Sequence, residues 1–204
     1  MLPGDPGYFQ HDQEEEEEEG PSIQPGKHGN SVYLQNVNNQ DDNSLTVDTI
    51  GTCLTEIETC SNGMTLAFWV KPSHTQPQSD PFPHLIASSS ILIYTRLVQN
   101  GLLTRYLIQS ASQEDRYDFN MPLQFEQWSL VAVTYSAQSG AEVYLNGCIV
   151  KIRKQLPKSK SRVANKLIVG CHKGYSRCVH GNFDDLRLWT SKKDKYFMWT
   201  LWSI

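Results

Sequence analysis

The sequence predicts an all-β protein, a two-sheet antiparallel β-sandwich, and three observations carry that prediction. Past residue 26, apolar runs alternate with turn residues roughly every 8–15 positions, the rhythm of short strands joined by tight loops. Val, Ile, Thr, Tyr and Trp dominate those runs, and such residues suit a pleated, half-buried surface. No long apolar repeat with a 3.6-residue period appears, so helices contribute little to the core.

The strands are expected in order at Ser31–Leu34, Ser44–Val47, Met64–Val70, Leu85–Ser88, Ile91–Arg96 and Leu102–Gln109. Trp128–Ser136, Glu142–Leu145, Cys148–Ile152, Lys166–Gly170 and Phe183–Thr190 follow. Leu66–Trp69 and Ile91–Tyr94 are apolar at every position, which fits central strands covered on both faces. Asn100-Gly101 and Asn146-Gly147 separate apolar runs; both residue types tolerate positive φ, so each pair suits a type I′ hairpin turn. Ser136–Gly140 reads as a longer hairpin loop, and successive hairpins place antiparallel strands side by side. The polar, irregular stretch from Gln109 to Gln127 reads as loop. Trp69, Trp128 and Trp189 fall within strands and are expected to pack in the core, where each buries a large area.

Three regions follow. Residues 1–26 hold the unbroken acidic block Glu14–Glu19 among several Pro and Gly residues, and read as a disordered acidic tail that serves as a solvated leader or linker. Residues 27–192 form the sandwich domain. Residues 193–204 are a C-terminal aromatic extension, for which a final strand, an interfacial anchor and the remnant of a longer segment all stay open. Trp199 and Trp202 in it are candidates for stacking on a sugar ring or a partner. Setting the six glutamates of the block aside leaves 16 of the 22 acidic residues against 18 basic ones. The folded part is thus nearly neutral, and no basic face argues for nucleic acid. No apolar stretch reaches the length of a membrane span, and no secretory leader is visible.

Five cysteines stand at 53, 60, 148, 171 and 178. Cys53 and Cys60 enclose six residues, as do Cys171 and Cys178. Zinc ligands favour shorter spacings, and redox pairs enclose two residues, so the spacing favours two local disulfides. A Cys148–Cys171 bridge that leaves Cys178 free stays open as the alternative for the second pair. Closing a loop this short removes about 2–2.5 kcal/mol of unfolded-chain entropy on the polymer model. A Cys53–Cys60 clip would pin the loop that delivers Met64–Val70 into its sheet. Disulfides imply an oxidising compartment, and with no leader in view the expectation is a domain of a longer secreted or cell-surface chain. Membrane attachment would then come only through flanking regions.

Four segments, in this order, resemble one family. Gly63-Met-Thr-Leu-Ala-Phe-Trp-Val70 is similar to the tryptophan-bearing strand of laminin-G-like and pentraxin-like jelly rolls, members of the concanavalin A-like lectin/glucanase superfamily. Trp128–Ser136 with Gly140–Gly147 resembles that family's central hairpin, and Leu167–Gly170 with Gly181–Trp189 its closing strands. Gly26–Gly29 with Val32–Leu34 resembles its opening strand. Leu130 and Ala132 stand where a pentraxin carries His and Cys, so the resemblance is laminin-G-like rather than pentraxin proper. It implies a jelly roll acting as a non-catalytic extracellular binding or adhesion module for protein or glycan. The rim loops 72–84 and 110–127 would make the contact; a receptor spacer is the rival. The family's Cys element just before the tryptophan strand supports the Cys53–Cys60 pair.

The glucanases of this superfamily set Glu-x-Asp-x-x-Glu on one strand, which aims three carboxylates into one cleft. That pattern is absent here, so no enzyme is expected. The superfamily often holds calcium at a sheet rim. Two oxygen-rich clusters answer to that: Asn36, Asn38, Asp41 and Asp42, and the pair Asp184–Asp185, with Asp184 the expected side-chain ligand. At most one of the pair would point inward, since strand residues alternate faces. The rival role for that inward aspartate is to accept backbone N–H bonds as a buried carboxylate.

Overall fold

The computed structural model describes residues 21–35, 44–53, 59–75, 84–87, 91–98, 101–109, 114–153, 166–170 and 179–204. The fold is nearly all β, with thirteen strands among those residues. They are β1 (Ser22–Pro25), β2 (Asn30–Leu34), β3 (Leu45–Asp48), β4 (Met64–Pro72), β5 (His84–Ala87), β6 (Ile91–Val98) and β7 (Gly101–Gln109). The rest are β8 (Glu114–Gln124), β9 (Ser129–Ser136), β10 (Gly140–Leu145), β11 (Cys148–Arg153), β12 (Lys166–Val169) and β13 (Gly181–Trp189). A helix, α1 (Lys195–Ser203), ends the chain. Two antiparallel sheets hold the strands, one in the order β1-β2-β13-β4-β9-β10-β11, the other β3-β12-β5-β6-β7-β8. The apolar runs at 66–69 and 91–94 do lie inside their sheets, on β4 and β6.

Alternation on β4 sets the layers. Met64, Leu66, Phe68 and Val70 join Val131, Val133 and Tyr135 of β9 and Val143 of β10 on the inner face. Ile93, Leu102, Leu123, Leu167 and Val169 meet them from the second sheet. Ala67 and Trp69 point the other way, with Leu130, Ala132 and Tyr144, and pack beneath Met198 and Leu201 of α1. Trp69, Trp128 and Trp189 all belong to this outer layer rather than to the space between the sheets. The cause is register: Trp69 is one residue out of phase with Phe68, and on a strand that reverses the face.

The hairpin turns follow their residues. Asn146 and Gly147 adopt φ of 49° and 76°, the double positive φ of a type I′ turn. The turn is tied to β9 in both directions: Asn146 N–H donates to the Leu130 carbonyl at 2.9 Å, and Leu130 N–H donates to Asn146 Oδ1 at 2.9 Å. Between β9 and β10, Ser139 N–H donates to Ser136 Oγ at 3.1 Å and closes the longer loop. The other expected turn differs: Gly101 is a strand residue paired with Val98, so the connection between β6 and β7 falls on residues 99–100, outside the described residues.

Two strands fall where none was expected. Ser22–Pro25, the end of the presumed tail, pairs with β2; Met1–Gly20 lie outside the described residues. Glu114–Gln124, read as loop, pairs along the whole of β7. Both are edge strands of their sheets, and each contains a proline, Pro25 or Pro122. An edge has one unpaired side, so it tolerates Pro and polar residues that a central strand excludes.

The 193–204 extension is neither strand nor tail. Asp194 caps α1, its carboxylate accepting Phe197 N–H at 2.9 Å. The segment leading to it is strapped across the outer face of the seven-stranded sheet. Lys192 N–H donates to the Asn62 carbonyl and Lys193 N–H to Thr65 Oγ1, each at 2.9 Å. Lys192 Nζ reaches Glu142 Oε1 and Ser139 Oγ, both at 2.6 Å. Cys53 and Cys60 are bonded, with 5.0 Å between their Cα atoms. Cys148 is exposed and its thiol free, so it does not bridge to Cys171. Cys171 and Cys178 lie outside the described residues.

Candidate functional site

Of the two rim loops expected at 72–84 and 110–127, most of the second is strand β8 instead, and what meets in the structure is the pair of segments that leave β4 and β8. β4 ends at Pro72 and β8 at Gln124, and the residues after each are bonded to one another. Glu126 N–H donates to the Pro72 carbonyl at 2.8 Å, and His74 N–H donates to Glu126 Oε1 at 3.1 Å. The His74 and Phe125 rings lie 5.0 Å apart, tilted by 49°. Ser73 N–H donates to the His180 carbonyl at 2.9 Å, which ties the rim to the lead-in of β13. Glu126 holds φ at 58°, a left-handed backbone that costs a residue with a Cβ about 1–2 kcal/mol. The cross-loop bonds stabilise that conformation, so an imidazole, a phenyl ring and a carboxylate are held together at a fixed spot. His74, Thr75, Glu126 and Gln127 are exposed there. Residues 76–83 and 110–113 lie outside the described residues.

A second feature opens on the flank of the sandwich, with a volume of about 190 Å³. Val32, Leu45, Phe68, Val169 and Phe183 make its apolar walls, and Asn30 with the segment Asp184–Leu186 forms its lip. The Phe68 and Phe183 rings stack 6.3 Å apart in the wall.

Asp184 itself faces outward. It stands opposite Trp69 in the sheet, and a register shift follows between Asp184 and Arg187, with Asp185 at φ 50°. Phe183 beside it packs inward, so alternation alone turns Asp184 outward, and the bulge falls only after it. The turn Gly26–Gly29 folds over the Asp184 carboxylate, and His28 N–H donates to Oδ2 at 2.8 Å. Gly26 is required for that approach, since a Cβ there would stand 2.5 Å from the same oxygen. Lys27 Nζ lies 5.0 Å from the Trp69 ring centre, and His28 meets the same ring edge-on. Asp185 Oδ1 takes Arg187 Nε at 2.6 Å.

Calcium binds through about six to eight oxygens. Asp184 and Asp185 each already answer a donor of the protein, and no group of three or more His, Cys, Asp or Glu side chains converges among the described residues. The other expected ligands, Asn36, Asn38, Asp41 and Asp42, lie outside the described residues.

Among the described carboxylates, Glu142 is held away from its ordinary range. Burial works to raise the Glu142 carboxyl, but hydrogen bonds from Lys192 and Tyr144, with the lysine charge, outweigh it and hold Glu142 below the usual carboxylate range. Burial and the same carboxylate push the Tyr144 phenol up. This group anchors the strap before α1, and sequence reasoning missed it because it joins Lys192 to the β9–β10 hairpin about 50 residues earlier. Asp194 followed by apolar residues at 197, 198 and 201 was the readable signal for the helix.

A laminin G family model, described as the Concanavalin A-like lectin/glucanases superfamily, matches residues 29–194. The chain belongs to that superfamily. As a laminin-G-like member it shares its fold with solved structures of low sequence identity. Domain 4 of AbnA, an extracellular GH43 arabinanase from Geobacillus stearothermophilus, in complex with arabinotriose, matches at 17% identity and a TM-score of 0.64, over 90% of this chain and 81% of that one. The binding domain of botulinum neurotoxin DC, in complex with rat synaptotagmin II, matches at 13% identity and a TM-score of 0.68, over 90% of this chain and 45% of that one. Botulinum neurotoxin type C, whose cell entry depends on interaction with two ganglioside molecules, matches at 16% identity and a TM-score of 0.65, over 91% of this chain and 45% of that one. This laminin-G-like chain thus spans about half the length of the neurotoxin structures. No curated protein sequence matches it.

Proposed function

We propose that this laminin-G-like domain is a non-catalytic extracellular binding module that recognises protein or glycan through its rim. The observation that carries this reading is Glu126, held at φ 58° by bonds to Pro72 and His74. Backbone strain maintained by cross-loop bonding fixes a recognition surface before the ligand arrives and lowers the ordering cost of binding. The His74 and Phe125 rings offer a face for a sugar ring or an apolar side chain, and Glu126 offers an acceptor beside it. The Cys53–Cys60 bond supports an oxidising, extracellular setting. The arabinotriose, synaptotagmin and ganglioside partners of the fold relatives support a glycan or protein ligand.

A glycan array and a panel of cell-surface ectodomains test this, each probed in calcium and in chelator. The expected result is selective binding that falls at least about tenfold in His74→Ala and Glu126→Ala. Those exposed variants should melt close to the wild type. Silence on every surface would replace the binding role with that of a spacer. Binding that His74→Ala and Glu126→Ala leave intact would move the site away from the rim. Binding seen only in calcium would bring residues 36–43 and Asp184 back as an ion site.

A further inference from the structure

α1 is held to the sheet by one side only. Met198 and Leu201 are buried and Phe197 is half-buried. Along its other side Tyr196, Trp199 and Trp202 are 71%, 56% and 41% exposed. Spaced three apart, they form an aromatic strip that runs about 9 Å along the helix. The strip continues onto the sheet edge. A Cβ on Gly147, in the β10–β11 turn, would stand 3.1 Å from Trp199 Cα and 3.2 Å from Trp202 Cβ, so turn and helix touch. Beyond that turn β11 carries Ile149 and Ile152, 38% and 52% exposed. They stand opposite Tyr144 and Glu142, on the face that α1 covers. Single exposed apolar residues need no explanation, but a contiguous set of two indoles, a phenol and two isoleucines does.

The border of this patch is basic. Lys193 Nζ lies 5.4 Å from the Phe197 ring centre, and Lys195 Nζ lies 5.1 Å from that of Tyr196. Of the acids nearby, Asp194 is engaged as the cap of α1 and Glu142 with Lys192. Lysines at a helix N-terminus oppose the helix dipole, so the stability of α1 does not account for them. Indole and phenol rings with ammonium groups at their margin match the layered chemistry of a bilayer interface. The rings sit at the level of the headgroups, and lysine stems reach the phosphates.

We propose that the face formed by α1 and the β10–β11 hairpin docks on an anionic phospholipid surface, with Tyr196, Trp199 and Trp202 in the interface and Lys193 and Lys195 on phosphates. This contact is separate from the rim and does not depend on it. A patch this small gives reversible binding that needs both its apolar and its charged part.

Sedimentation of the full chain with vesicles tests the proposal. Vesicles of phosphatidylcholine alone are compared with vesicles that also hold about 30 mol % phosphatidylserine. Partitioning should be at least about tenfold stronger on the anionic vesicles and should weaken as salt rises. Brominated lipid should quench tryptophan emission in the wild type. The paired change Tyr196→Ser and Trp199→Ser should lower partitioning at least about tenfold. The pair Lys193→Glu and Lys195→Glu should abolish the preference for anionic vesicles, and it keeps the test decisive if the aromatic variant misfolds. Binding to neither vesicle, equal binding to both, or binding that survives both variants overturns the proposal. So does concentration-dependent self-association that Trp199→Ser removes, which would assign the face to a second copy of the chain.

Discussion

β4 faces two apolar layers that are built differently. On its inner side Met64, Leu66, Phe68 and Val70 meet strands of the opposite sheet. On its outer side Ala67 and Trp69 are covered by a nine-residue helix and a four-residue turn. The inner layer is closed by many strands, each held in turn by its own neighbours. The outer layer depends on α1, which is fixed by the Asp194 cap, two buried side chains and the Lys192 strap. A strand that is apolar on both faces therefore states that both are covered, but not by what. The physical consequence is a difference in cooperativity. Loss of the inner layer should unfold the sandwich, whereas loss of the outer one should free the helix first.

The sharpest way to break this comparison is Phe68→Ala. Phe68 is fully buried and stacks on Phe183, so truncation should cost about 3–5 kcal/mol. Urea unfolding should show that loss in one transition sensed equally by circular dichroism and tryptophan emission. Leu201→Ala comes next. It removes one of two buried side chains of α1 and should cost about 2 kcal/mol, since the site borders solvent and can relax. Hydrogen exchange should accelerate in α1 while β4 and β9 keep their protection. If Leu201→Ala speeds exchange in β9 as much as in α1, the two layers are one cooperative unit and the distinction fails.

The difference between the layers also marks what was legible. The inner strands could be read because alternation on a strand leaves a period of two, and the Asn-Gly turns fix where hairpins reverse. Of the strands that run through either sheet interior, each was anticipated within a few residues of its ends. β8 was missed because an edge strand needs few apolar residues, and Glu114–Gln124 has few. β1 was hidden for the same reason, since its four residues adjoin an acidic stretch rich in Pro and Gly. The helix was missed because Tyr, Phe and Trp favour strands locally, while what makes it helical is its cap and its contact with Tyr144 and Ala132. At the candidate site, the loop after Pro72 was legible, but most of the one expected at 110–127 is strand β8, and the bond from His74 to Glu126 joins residues 52 apart, which no local pattern encodes. Asp184 was expected as a calcium ligand, with a buried carboxylate accepting backbone N–H bonds as the rival role; its register opposite Trp69 sets which way it faces.

The smallest expected effect concerns the strap between the layers. Glu142 lies at the centre of a set formed by Lys192, Tyr144 and Ser139, in which Lys192 Nζ donates to both Glu142 Oε1 and Ser139 Oγ and the Tyr144 hydroxyl donates to Glu142 Oε2 at 2.6 Å. Its folded pKa is depressed below the value of 4.5 for a free glutamate. A depressed carboxyl binds fewer protons when folded, so its contribution is complete above about pH 4.5 and is lost as pH falls through the folded value. Wild-type melting temperature should therefore drop between about pH 5 and pH 3 by more than that of Glu142→Gln, which has no such proton to take up. Because the strap anchors α1, the difference should be larger in the exchange of α1 than in that of β9. A parallel decline of both proteins through this range would show that Glu142 contributes nothing specific. The helix would then be held by its apolar side alone, and the outer layer would resemble the inner one more than its construction implies.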